Sequence, residues 1–107
     1  MEEKILVMMT TDSEEQAEAI AKTLLEERLI ACANLLGGIR SLYRWEGQVC
    51  DDREILLFCK TRQSLFSRLS ETVKSIHPYD VPEIIALPLV DGWQPYLEWV
   101  EQETSST

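Results

Sequence analysis

The sequence predicts an α+β domain whose antiparallel sheet is assembled from two strand–helix–strand halves followed by a terminal helix. Three observations carry that prediction. Strand-like and helix-like segments alternate in that order along the chain. Ile5–Met9 and Ile55–Cys59 are continuous apolar runs of strand length, the pattern of strands covered on both faces. Between them lies a segment that keeps Ala17, Ile20, Ala21, Leu24, Leu25 and Leu29 on one stripe at helical spacing. This order is the split βαβ arrangement of ferredoxin-like domains, with helices on one face of the sheet.

Each element has its own justification. Lys4–Thr10 reads as the first strand, and Asp12-Ser13-Glu14-Glu15-Gln16 offers overlapping capping boxes for the helix after it. Ala31–Trp45 reads as extended, interrupted by Gly37-Gly38, and Glu46-Gly47 is a tight-turn signal into Val49 and the strand beyond. A second helix from about Gln63 to Ile76 buries Leu65, Leu69, Val73 and Ile76. Glu83–Leu89 is the last strand. Asp91-Gly92-Trp93-Gln94 then caps a short helix carrying Trp93, Tyr96, Leu97, Trp99 and Val100, whose tryptophans pack it on the sheet or on a neighbour. The polar tail from Glu103 is expected to fray. One domain over residues 1–107 accounts for the whole sequence, and a chain of this length buries roughly two thirds of its unfolded surface.

Composition excludes several classes. A net charge of −9 argues against a nucleic-acid partner, which needs clustered Lys and Arg. The longest apolar runs are too short to cross a bilayer, so no membrane partner is expected. Three cysteines without paired spacing fit free thiols in a reducing compartment. With an acidic start and no secretory signal, the expected location is cytoplasmic.

The long hairpin points to assembly. Arms of some fourteen residues reach on the order of 45 Å at about 3.3 Å each, beyond a globule of about 13 Å radius of gyration. Tyr43 and Trp45 near the tip are then interface anchors for another subunit. The alternative is that Gly37-Gly38 bends the arm back onto its own domain.

Candidate ligand-handling groups gather in His77-Pro78-Tyr79-Asp80-Val81-Pro82-Glu83. Two prolines stiffen this connector, and it holds the only histidine, the one borderline-soft nitrogen ligand. If the loop folds over the hairpin, Glu54, Lys60, Tyr79 and Glu83 converge in a cleft able to hold a small charged ligand or metal, or to form a structural ion pair. An unbroken register from Trp45 and Gln48 sets Cys59 opposite Asn34 and Cys32 on the same face, a thiol pair able to take a soft metal, whereas a Gly37-Gly38 bulge separates them. No Gly-rich phosphate loop, metal-hydrolase histidine motif or Ser-His or Cys-His grouping is found, so neither catalysis nor an organic cofactor is expected. The alternative is an enzyme acting on a small polar molecule in the cleft between subunits, with His77 and Asp80 or Glu83 as acid and base.

Ala31-Cys32-Ala33-Asn34, Ser41-Leu42-Tyr43-Arg44-Trp45-Glu46-Gly47, Glu54, Lys60-Thr61, His77-Pro78-Tyr79, Pro82-Glu83-Ile84 and Tyr96-Leu97-Glu98-Trp99 together resemble the CutA family of divalent-cation tolerance proteins. The resemblance spans nearly the whole chain. It implies a ferredoxin-like subunit, a homotrimer with interlocking hairpins related in architecture to PII-type signalling proteins, cytoplasmic residence, and a link to copper and other divalent cations. Family members with a proposed copper site use a histidine pair before Pro-Tyr and a cysteine at the end of the first strand. Ile76, His77 and Met9 stand at those positions, so the implied metal candidates are His77 and Met9, with Cys32 added from the thiol reading, and any cation is expected to bind weakly.

Overall fold

The computed structural model describes residues 2–105. Strand β1 (Lys4–Thr11) leads to helix α1 (Glu14–Glu26), the hairpin β2 (Cys32–Trp45) and β3 (Gln48–Arg62), helix α2 (Phe66–Ile76), strand β4 (Ile84–Pro88) and helix α3 (Gln94–Glu103). The sheet order is β2-β3-β1-β4, and every pairing is antiparallel. This is the predicted α+β, ferredoxin-like topology. The start of the second helix differs, because Gln63–Leu65 form a single 3₁₀ turn before α2. No helix among the described residues is long and apolar enough to span a membrane.

The sheet's two faces differ in their cover. Odd-numbered residues of β1 and β3 (Ile5, Val7, Met9, Ile55, Leu57, Cys59) pack with Ala17, Ile20, Leu24, Leu69 and Val73 of α1 and α2 into the core. Ser13 caps α1 as its sequence predicts, accepting from the Gln16 N–H at 3.1 Å. The helix ends on Arg28 in the left-handed region (φ 57), a position usually given to glycine. The Arg28 and Leu29 N–H groups close the last turn on Leu25 and Leu24 carbonyls, and Leu29 is buried behind them.

Helix α3 crosses the opposite face at one end. Lys4, buried on that face, donates to Glu101 at 2.5 Å, and Arg62 pairs with Glu2 and Glu101. The predicted fraying from Glu103 does not hold for the described residues. Thr104 is buried and accepts from Arg62 Nε at 2.9 Å, while the Ser105 N–H donates to the Arg28 carbonyl at 2.7 Å. The rest of that tail, residues 106 and 107, lies outside the described residues. Trp93 does not pack within the chain, being 77% exposed, and Trp99 stacks at a tilt on Tyr96.

Beyond α3 the second face is apolar and uncovered. Leu6, Met8, Leu56 and Phe58 are half-buried, and Leu36, Ile85 and Leu87 are exposed. The hairpin continues outward, and the molecule measures 44 × 26 × 21 Å. Glu46 (φ 49) and Gly47 (φ 78) form its two-residue turn, both central residues being left-handed as a type I′ hairpin requires. The arm does not fold back: Tyr43 and Trp45 are each 43% exposed.

One irregularity governs the register. Leu36 pairs with Leu56, but Ile39 pairs with Glu54, so Gly37 and Gly38 together oppose a single residue of β3. Gly38 takes φ +73, and a Cβ on Gly37 would lie 3.1 Å from Glu14 Oε1. The bulge overturns the unbroken-register reading: Cys59 opposes Ala33 and Cys32 opposes Lys60. Cys59 is fully buried in the core and Cys32 sits on the other face, so the two thiols do not form a pair.

Candidate functional site

The proline-bracketed loop is fixed to the end of β1 by its histidine. Helix α2 stops where Pro78 forbids continuation, and the His77 N–H closes it on the Val73 carbonyl at 2.8 Å. His77 is 8% exposed. Its Nε2 donates to the Thr10 carbonyl at 2.8 Å, and its Nδ1 accepts from the Tyr79 N–H at 3.1 Å. The ring also meets the Tyr79 ring edge-on, with centroids 4.7 Å apart. Lys74 holds the far side of the loop by donating to the Asp80 carbonyl at 2.6 Å.

So anchored, Tyr79 reaches past the end of β1 and donates its hydroxyl to Glu54 Oε2 at 2.7 Å. Glu54 is 7% exposed, and no other group among the described residues hydrogen-bonds its carboxylate. Burial first, then the Glu54 carboxylate, pushes the Tyr79 phenol above its ordinary range. Two residues along the same face of β3, Asp52 accepts from the Tyr43 hydroxyl, which pushes that phenol up to about 12. The result is a row of two phenol–carboxylate pairs in which both tyrosines stay protonated as donors. Among the described residues no Lys or Arg stands beside the two carboxylates on that face of the hairpin. Such a row can attract a cationic group or a hard divalent ion, and it offers no activated nucleophile.

The four residues expected to converge do so only in part. Glu54 and Tyr79 meet. Lys60 lies six residues further along β3, about 20 Å away, and its ammonium contacts Asn34 Oδ1, with Cys32 Sγ at 4.0 Å. Glu83 is exposed and outside the row.

The residues considered for metal are not gathered round one point. Both His77 ring nitrogens are occupied by backbone groups, Met9 is fully buried on the core face, and Cys32 faces the other side beside Lys60 and Tyr96. Among the described residues no group of three or more His, Cys, Asp or Glu is placed to hold a metal. The donors of a single chain therefore do not fit a tight copper site.

Sequence reasoning missed the Thr10 carbonyl, which carries no side-chain signal. The sequence register already sets Asp52 on one face with Tyr43, Trp45 and Glu54, as the structure has it, but does not count it among the cleft residues.

Comparison with known proteins agrees with this fold. The family model for CutA1 divalent ion tolerance protein matches residues 5–103. The chain belongs to that family. It is 51% identical over 104 residues to a divalent-cation tolerance protein CutA of Thermus thermophilus, covering 97% of this chain and 99% of the relative. A chloroplastic CutA protein of Arabidopsis thaliana is 47% identical over 94% of this chain, which spans 55% of that longer relative. Among solved structures, a CutA1 from Oryza sativa superposes with a TM-score of 0.95 at 45% identity, covering 98% of this chain and 96% of that one.

Proposed function

We propose that this chain acts as a cytoplasmic homotrimer in divalent-cation tolerance, copper included, binding divalent cations or a small ligand in clefts between subunits without catalysing a reaction. The observation that carries this reading is the uncovered apolar face, from Leu6, Met8 and Phe58 to Ile85 and Leu87, which runs on into a hairpin with exposed Tyr43 and Trp45. A contiguous patch of this kind marks an association surface. The Tyr79–Glu54 and Tyr43–Asp52 pairs lie at the margin of that surface, where a neighbouring subunit closes a cleft over them. Oxygen donors of this sort suit weak, exchangeable binding of a hard or borderline divalent ion. The three free cysteines support a reducing compartment.

Sedimentation equilibrium tests the assembly, and calorimetric titration with Cu(II), Zn(II) and Mg(II) tests the cleft. A trimer at micromolar concentration whose weak cation binding disappears in Glu54→Gln is the expected result. Solitary molecules, or a substrate turnover abolished by Glu54→Gln, would overturn the reading.

A further inference from the structure

A cleft of about 470 Å³ opens where the turn after α1, the end of β3 and the end of α3 meet, lined by Arg28, Arg62, Glu101, Gln102, Thr104 and Ser105. Its charged lining is two arginines and one glutamate, in a chain whose net charge is −9. The glutamate is already engaged, with Oε1 2.5 Å from the Lys4 ammonium and Oε2 3.6 Å from Arg62 Nη1. Arg62 is 7% exposed. Its Nε donates to Thr104 Oγ1 at 2.9 Å and its Nη1 to Glu2 Oε1 at 3.2 Å, but its Nη2 is buried with no hydrogen-bond partner among the described residues. Nη2 shares one edge of the planar guanidinium with Nε, so it faces the cleft wall that Thr104 forms. Arg28 is exposed, gives one guanidinium N–H to the Gln102 carbonyl at 2.7 Å, and has no ion pair among the described residues.

We infer that this cleft binds a small oxyanion, a carboxylate or phosphate group that accepts from Arg62 Nη2 and is clamped from the open side by Arg28. A buried guanidinium N–H without a partner costs free energy that an acceptor recovers. The second arginine selects an anion over water as that acceptor, because forked guanidinium groups match the paired oxygens of a carboxylate or phosphate. The volume falls within the range of small-ligand cavities, about 300–1,000 Å³. The site stands apart from the Tyr79–Glu54 pair, since Arg62 lies eight residues beyond Glu54 on β3, about 26 Å away. It therefore does not rest on the cation reading of that pair.

The test is titration of the full-length protein with inorganic phosphate and with succinate, at an ionic strength held constant with chloride. Calorimetry and the nitrogen–proton NMR signal of Arg62 Nε are the readouts. A saturable shift of that signal with at least one anion is expected, and which anion acts tells carboxylate from phosphate recognition. Arg28→Gln should weaken binding about tenfold or more. Arg62→Lys, which keeps a cation for Glu2 and Glu101 but has no Nη2, should weaken it similarly; the exposed Arg28→Gln decides the matter if Arg62→Lys does not fold. Arg44→Gln, which removes an exposed arginine on the hairpin, should bind as the parent does. The inference is overturned if neither anion gives a saturable shift, if Arg28→Gln leaves binding unchanged, or if Arg44→Gln weakens it equally.

Discussion

Replacing His77 with alanine separates two roles that the sequence leaves together. The ring donates to the Thr10 carbonyl and accepts from the Tyr79 N–H, and it is almost wholly buried. Each lost hydrogen bond costs about 1 kcal/mol, more if the orphaned group stays dry. The emptied ring space adds about 1–2 kcal/mol. The sum is about 3–4 kcal/mol, a drop of roughly 1–4 M in the urea midpoint at a slope of about 1–3 kcal/mol/M. The measurement is equilibrium urea unfolding followed by circular dichroism, at one fixed protein concentration because assembly contributes to stability. Copper affinity, by titration calorimetry on the folded variant, should stay unchanged, since neither ring nitrogen is available to a metal. A variant as stable as its parent that has lost copper binding would refute this reasoning, because the ring would then serve a cation and not the loop.

Other expected outcomes follow from the same geometry. Tyrosinate absorbance should develop late, because all three phenols are raised and Tyr43 reaches about 12. The folded state then holds protons that the unfolded state releases near pH 10, so stability should fall as pH rises from about 10 through 12; Asp52→Asn should bring one phenol back toward its ordinary range. A thiol reagent should modify Cys32 before Cys59, since Cys59 is fully buried and burial pushes its thiol up to about 12; mass spectrometry of the native protein would show the order. Gly38→Ala should cost about 1 kcal/mol in unfolding free energy, because φ +73 is unfavourable for any residue with a Cβ. Glu101→Ala should cost about 1–3 kcal/mol by leaving the buried Lys4 ammonium without its carboxylate, measured by thermal unfolding.

What the sequence reveals depends on how local the controlling physics is. Helix α1 is legible because Ser13 and the apolar stripe act within a few residues. The hairpin and its turn are legible for the same reason. The pairing of Cys32 is not, since it depends on whether two glycines absorb one residue or two across the ladder. Composition marks Gly37-Gly38 as a break without saying which strand lengthens. The docking of α3 is hidden because it relies on Lys4, Arg62 and Glu101, charged residues that a pattern reading assigns to solvent. At the site, strand alternation is enough to place Glu54 and Asp52 together, and the proline loop brings Tyr79 to them. The role of His77 is hidden because its partner Thr10 contributes only a carbonyl, which every residue possesses.

The bulge has a bearing on how such a ribbon can change over generations. Because the arm carries its surplus residue on one side only, gaining or losing a single amino acid anywhere between Ile39 and Trp45 would turn that strand inside out relative to its mate. Changes in steps of two would preserve which way each side chain looks. Without a second bulge to absorb an odd residue, the outer half of the arm drifts in length by even increments, whereas the inner half, anchored to the core, answers to a separate count.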